Sequence, residues 1–167
     1  FHHAVEQLKY RLDFVYNKLD MCGIPLKFDA IIARGGLLRP TSGGVYQIND
    51  KIKHDLIHAE MDHACNLGAL IADDMSKRCN CPAYIADPEV VDELIPEARL
   101  TGIPEINRIS IFHALNSKAL SRKYAEFIGK RYEDINLIVA HMGGGISVGA
   151  HRRGKVIDVN NALNGDG

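Results

Sequence analysis

Neither sign of charge is in excess: 20 lysines and arginines stand against 21 aspartates and glutamates, a formal net charge of -1. The sequence therefore carries no electrostatic footprint for a nucleic acid or an anionic membrane surface, and a strongly steered polyanionic partner is disfavoured. Long apolar runs are missing as well. Nothing approaches the ~20 consecutive apolar residues that span a bilayer, and no signal-peptide pattern opens the chain. Cysteine is sparse and unpatterned. Cys22, Cys65, Cys79 and Cys81 form neither a secreted disulfide framework nor a CxxC zinc pair, and they read as reduced thiols. Internal repeats and low-complexity segments are absent too. These absences predict a soluble, cytoplasmic protein with no nucleic-acid or membrane partner.

What is present is ordinary globular composition: 167 residues, 46% hydrophobic and 25% charged, enough for one sizeable core or parts of two. The chain starts at Phe1 rather than a methionine and stops at Asn-Gly-Asp-Gly, a turn-forming string, so both ends read as cuts.

Val5, Leu8, Leu12, Val15 and Leu19 recur at helical spacing, and that helix is expected to stop near Cys22-Gly23. Phe28 to Ala33 is a short apolar run suited to a strand buried on both faces, and it leads into Arg34-Gly35-Gly36. Leu37 to Asn49 reads as a loop with turn chemistry in a position where ligand loops sit. Helical spacing returns from about Asp62 to Arg78, followed by a buried strand at Ala83 to Ala86 that Asp87-Pro88 ends. Ser110 to Gly129 is expected as a helix with Leu115, Ala119, Leu120, Tyr124, Phe127 and Ile128 on its buried side. Leu137–His141, Ile146–His151 and Lys155–Asn160 then form an antiparallel meander with tight turns at Gly143-Gly144-Gly145 and Arg152-Arg153-Gly154. Strand, helix, strand, helix and then fresh hairpins imply the end of one α/β unit and the start of another, divided near residue 90.

The strongest chemical signal is His141-Met-Gly-Gly-Gly-Ile-Ser147 between two strands. A three-glycine turn has no side chains to hold off a ligand and can adopt positive φ, so that successive amides point together at an anion such as a phosphate. His141 and the Ser147 hydroxyl add donors at its rim. The structural alternative is a tight hairpin and nothing more. Asp87, closing a buried strand, lies at the edge where α/β folds place ligand groups, or else caps a turn. His113 stands near a helix start, where a lone histidine is commonly structural. The adjacent His2 and His3, and His54 and His58 four apart, have no cysteine or carboxylate at ligand spacing, so structural zinc is not expected.

Taken as a string, Leu137 to Gly154 (LIVAHMGGGISVGAHRRG) is similar to the second signature of the acetate and butyrate kinase family of acyl kinases. RGGLLRPTSGG, HACNLGALIA, YIADPEVVDE, IFHALNSKA and KVIDVNNALNGDG, in that order, resemble its butyrate kinase members more closely than its acetate kinase members. The resemblance implies an α/β, ribonuclease-H-like (actin-like ATPase) duplicated fold, present here as the second half of the first domain (1–90) and the opening meander of the second, nucleotide-phosphate-binding domain (91–167). It implies reversible transfer of the γ-phosphoryl of ATP to butyrate or a related short or branched acid, with ATP/ADP and Mg2+ as cofactors. Acetate or branched-chain acid kinase activity, or nucleotide binding without catalysis, are the alternatives.

Carried over residue by residue, the resemblance makes His113 the group that stabilises the transferring phosphoryl. Asp87 orients substrate or binds magnesium through water. Gly143, Gly144, Gly145, His141 and Ser147 grip nucleotide phosphates. The family's strand arginine falls on Ile31 here, which leaves Arg34, with Arg39 competing, to clamp carboxylate or phosphoryl oxygens. His63 and Asn66 resemble a family histidine-to-asparagine motif that is one residue longer, so His63 can instead bond locally at its helix start. Asp158, Asn160 and Asn161 follow the third strand near the expected phosphates, or are exposed turn residues. The family's first phosphate hairpin, a catalytic arginine and the adenosine pocket have no counterpart in the chain. The piece alone is therefore expected to be inactive, to leave an apolar sheet face bare, and to belong to an enzyme that is homo-oligomeric when whole.

Overall fold

The computed structural model describes residues 2–163; the Asn-Gly-Asp-Gly string read as a terminal turn lies outside them. Chain contacts divide the molecule into two compact units, 1–39 with 44–86, and 40–43 with 87–167.

In the first unit, α1 (Leu8–Met21) follows a short 3-10 turn, β1 (Ile31–Arg34) follows it, and β2 (Val45–Gln47) and α2 (Asp50–Ile57) come next. α3 (Leu67–Cys79) then leads into β3 (Ala83–Ala86). The sheet order is β1-β3-β2, with β1 parallel and β2 antiparallel to β3. α2 starts where the Asn49 side chain accepts the Ile52 amide at 2.9 Å, a cap that replaces a missing intrahelical bond. Ile85 and Ala69, fully buried, form the core with Leu56, and Tyr46, Ile48 and Ile52 pack against them. Two expectations fail here. The loop reading of 37–49 missed β2, which is only three residues long and too short to show a period. β1 is not buried on both faces: it is an edge strand, and Ile32 is 65% exposed because α2 and α3 cover only the face that carries Ile85.

The second unit is built on β4 (Asn136–Met142), β5 (Ile146–Arg152) and β6 (Lys155–Val159), an antiparallel meander as the sequence predicts. Arg153 and Gly154 both have positive φ (50° and 81°), the two-residue turn that matches strand twist, which is why glycine sits there. A short stretch from earlier in the chain joins this unit: Thr41 bridges Val91 in parallel, and its carbonyl accepts the Asp92 amide at 2.8 Å.

α4 (Ala114–Phe127) packs on this sheet in the opposite sense to the periodicity reading. Ala114, Ser117, Lys118, Ser121 and Ala125 are buried. Leu120, Tyr124 and Phe127, expected inside, are 53%, 46% and 84% exposed, and Leu115, Ala119 and Ile128 are exposed with them. Small residues at steps of three and four let the helix approach closely, and Lys118 reaches beneath it to Glu93 at 2.8 Å. An ion pair and close approach thus override the apolar stripe. The sheet face carrying Ile138, Met142, Ile146 and Val148 is exposed.

Beside this ion pair lies His151, buried, its Nδ1 accepting the Tyr132 hydroxyl at 2.6 Å. Burial first, and then the Lys118 charge, lower its pKa from 6.5 to about 4. Burial pushes the Tyr132 phenol up to about 12, so it keeps the proton it donates. Because the folded value lies below the unfolded one, the unfolded chain takes up this proton first as pH falls. Stability is therefore lost between pH 6.5 and about 4, by up to about 3 kcal/mol. Chemical denaturation at a series of pH values should show a shallower fall across that window for His151→Gln than for the parent; identical slopes would contradict the assignment.

Candidate functional site

His113 is the N-cap residue of α4, held in place by its neighbour Phe112, a core side chain 2% exposed. The Phe112 amide donates to the Glu89 carbonyl at 3.0 Å, which lays the stretch after Asp87 beside the stretch before His113. His141 and Ser147 face each other across β4 and β5, so both present to the same side of the sheet. His113 lies on this pair. Its ring stacks on His141 with centroids 3.7 Å apart and planes 11° from parallel, and its Nδ1 is 2.9 Å from the Ser147 hydroxyl. His141 Nδ1 lies 3.2 Å from the Asn116 Oδ1, one turn into α4.

The glycine turn closes over the other edge of the His113 ring. A Cβ on Gly145 would lie 3.1 Å from His113 Cε1 and 3.2 Å from Nε2, and one on Gly143 would lie 3.1 Å from His141 Nε2. The expected positive φ is not found at Gly143, Gly144 or Gly145. Gly143 and Gly145 are needed for space rather than for a left-handed backbone, and a Cβ on Gly144 would meet nothing within 4 Å. The Gly143 amide is spent on the Gly145 carbonyl at 3.1 Å, closing the turn on itself. Among the described residues, no acceptor takes the Gly144 or Gly145 amide.

Ser147 is not a rim donor. It is 1% exposed and its hydroxyl is committed to His113. Asp87 is 4% exposed, in the left-handed region at φ 35°, and accepts from Arg122 Nη1 at 2.8 Å. Arg122 carried no sequence signal: an arginine in a helix is ordinarily solvated. Asn116 had a weak one, its i+3 spacing from His113.

Arg34 belongs to the first unit, exposed at the end of β1, while His113, His141, the turn, Ser147 and Asp87 belong to the second. Arg39 is also in the first unit, 3.7 Å from Asp55. His63 accepts the Cys65 amide at 3.2 Å, the local role its shortened motif allowed. Asn66 is buried and accepts the Leu37 amide at 2.9 Å, fixing the turn after Gly35-Gly36. Asp158 pairs with Arg108 at 2.9 Å. Asn160 clamps the start of β5, accepting from the Val148 amide at 2.7 Å and donating to the Ile146 carbonyl at 3.0 Å. Asn161 is buried, so neither asparagine is a free turn residue.

No group of three or more histidine, cysteine, aspartate or glutamate side chains among the described residues could hold a metal ion. Asp87 is a single carboxylate paired with a guanidinium, and magnesium is commonly held by one or two carboxylates together with water and substrate phosphates.

Comparison with solved structures shows the fold. The chain resembles an acetate kinase of Porphyromonas gingivalis (TM-score 0.64, 18% identity, 81% of this chain and 36% of that one). It also resembles a propionate kinase of Francisella tularensis (TM-score 0.65, 17% identity, 90% and 41%). The chain carries part of the α/β, actin-like ATPase fold of these kinases. Residues 104–164 match the model of the acetokinase family. The whole chain is 73% identical to a probable butyrate kinase of Phocaeicola vulgatus. It is 50% identical, over 98% of its length, to another of Bacteroides thetaiotaomicron. The chain spans about half the length of these curated relatives, 47% of each.

The glycine geometry is testable by NMR of the His113 ring. Gly145→Ala, whose methyl meets the ring at 3.1 Å, should shift its resonances, whereas Gly144→Ala, with nothing within 4 Å, should leave them unchanged. Equal effects from the two substitutions would contradict the placement of the ring.

Proposed function

We propose that the protein carrying this chain is an acyl kinase that moves the γ-phosphoryl of ATP to butyrate or a similar short or branched carboxylic acid, reversibly. One observation carries the reading: the Cε1–Nε2 edge of His113 is held against the Gly143–Gly145 turn, with the ring fixed by Ser147 and His141. In such a transfer a carboxylate oxygen attacks phosphorus, the bond to the ADP oxygen breaks, and charge spreads over the three equatorial oxygens. A fixed imidazole donor beside a turn whose Gly144 and Gly145 amides have no acceptor among the described residues is suited to stabilise that charge, and those amides are suited to nucleotide phosphates.

The first unit is assigned to the first domain of the fold and the second unit to the start of the second domain. Asp87, oriented by Arg122, is assigned to the acceptor side of the reaction, and Arg34 is retained as the arginine for carboxylate or phosphoryl oxygens. Magnesium belongs to this proposal as a companion of the nucleotide, where it would neutralise phosphate charge. The sequence's cytoplasmic and homo-oligomeric expectations go with the same proposal, and the absence of a helix long and apolar enough to cross a membrane among the described residues is compatible with them.

The test is formation of hydroxylamine-trapped acyl phosphate by the full-length protein with Mg-ATP and acetate, butyrate or isobutyrate. Butyrate or isobutyrate should be preferred. His113→Ala should lower kcat by about 10²–10³, with ATP affinity nearly unchanged. Full turnover in that variant, or no acyl phosphate with any acid, would contradict the proposal.

A further inference from the structure

We propose that Ser147 fixes the tautomer of His113, so that the imidazole meets the glycine turn with its proton on Nε2. Only the functional consequence rests on the acyl-kinase reading; the tautomer is a property of the resting site.

The Ser147 hydroxyl is buried on β5, 1% exposed, and both its partners belong to one residue: the His113 backbone amide at 3.4 Å and the His113 Nδ1 at 2.9 Å. An amide can only donate, so it occupies a lone pair of the serine oxygen. The hydroxyl proton then needs an acceptor of its own, and Nδ1 is the acceptor within reach. The reverse arrangement, with the proton on Nδ1, would give the oxygen two donors and leave the buried O–H without an acceptor, which costs about 1–3 kcal/mol. With Nδ1 accepting, the ring proton sits on Nε2, and that nitrogen is on the edge facing Gly145, 3.2 Å from where a Cβ would be.

The remaining contacts fix how the ring is presented. Stacking on His141 sets its plane, and His141 is steadied in turn by Asn116. A neutral His113 therefore offers a donor to the turn without first having to be charged. Ser147 acts through His113 and is a positioning residue, not a phosphate ligand.

The test uses the full protein labelled with ¹⁵N-histidine. Two-bond ¹H–¹⁵N correlations recorded above neutral pH assign the proton to one ring nitrogen of His113. The expected result is Nε2–H; a dominant Nδ1–H form would overturn the proposal whatever the enzyme's activity, and the parent spectrum decides this even if no variant folds. In Ser147→Ala the His113 pattern should become mixed, and kcat should fall by about 10–100-fold with KM for ATP nearly unchanged. An unaltered tautomer and unaltered kcat in that variant would also overturn it. A protein that makes no acyl phosphate but shows Nε2–H would contradict the kinase reading while leaving the tautomer assignment standing.

Discussion

Lys118 is almost fully withdrawn from water, with 3% of its side chain exposed, and the Glu93 carboxylate accepts from it at 2.8 and 3.0 Å while the Gly154 carbonyl accepts at 3.1 Å. Burial alone would raise the Glu93 pKa, but Lys118 and the Val156 and Gly43 amides hold it below the usual carboxylate range. A buried pair of this kind need not add net stability, but leaving either partner alone is costly, so it dictates arrangement. Here it selects the face of α4 that meets the sheet. It also fastens the 40–43 stretch and the β5–β6 turn to that helix.

Everything at the candidate site follows from that choice of face. With α4 rotated to bury Lys118, its N-cap residue His113 comes to rest on the cross-strand pair His141 and Ser147, and Asn116 reaches His141. The register of β4 and β5 puts the turn directly after Met142 and directly before Ile146, so Gly145 is the residue that closes on the ring. A side chain there would push the imidazole away. The small residue is a steric requirement of one contact.

The meander was legible because its strands are long enough to alternate and its turns are marked by glycine. His113, Asp87 and the glycine turn stood out in the sequence as candidates, and the structure gathers His113, His141 and Ser147 into one contact set. The orientation of α4 was not: its apolar residues form a helical stripe, and no sequence pattern signals that Lys118 will be buried against a glutamate 25 residues away. The rim role given to Ser147 failed for a similar reason, since alternation along β5 places it on the covered face but does not say that His113 is what covers it. Arg122 shows the same limit, because its function is defined by a buried partner far away in sequence.

In the proposed reaction the Nε2 edge of His113 serves a phosphoryl group held at the Gly143–Gly145 turn. A crystal structure of the full-length protein with ADP, magnesium, butyrate and aluminium fluoride tests it most directly. The aluminium centre should lie beside the turn, with a fluorine within hydrogen-bonding distance of His113 Nε2. An aluminium fluoride bound away from the turn, with the His113 edge still packed against Gly145 and touching no ligand, would contradict it.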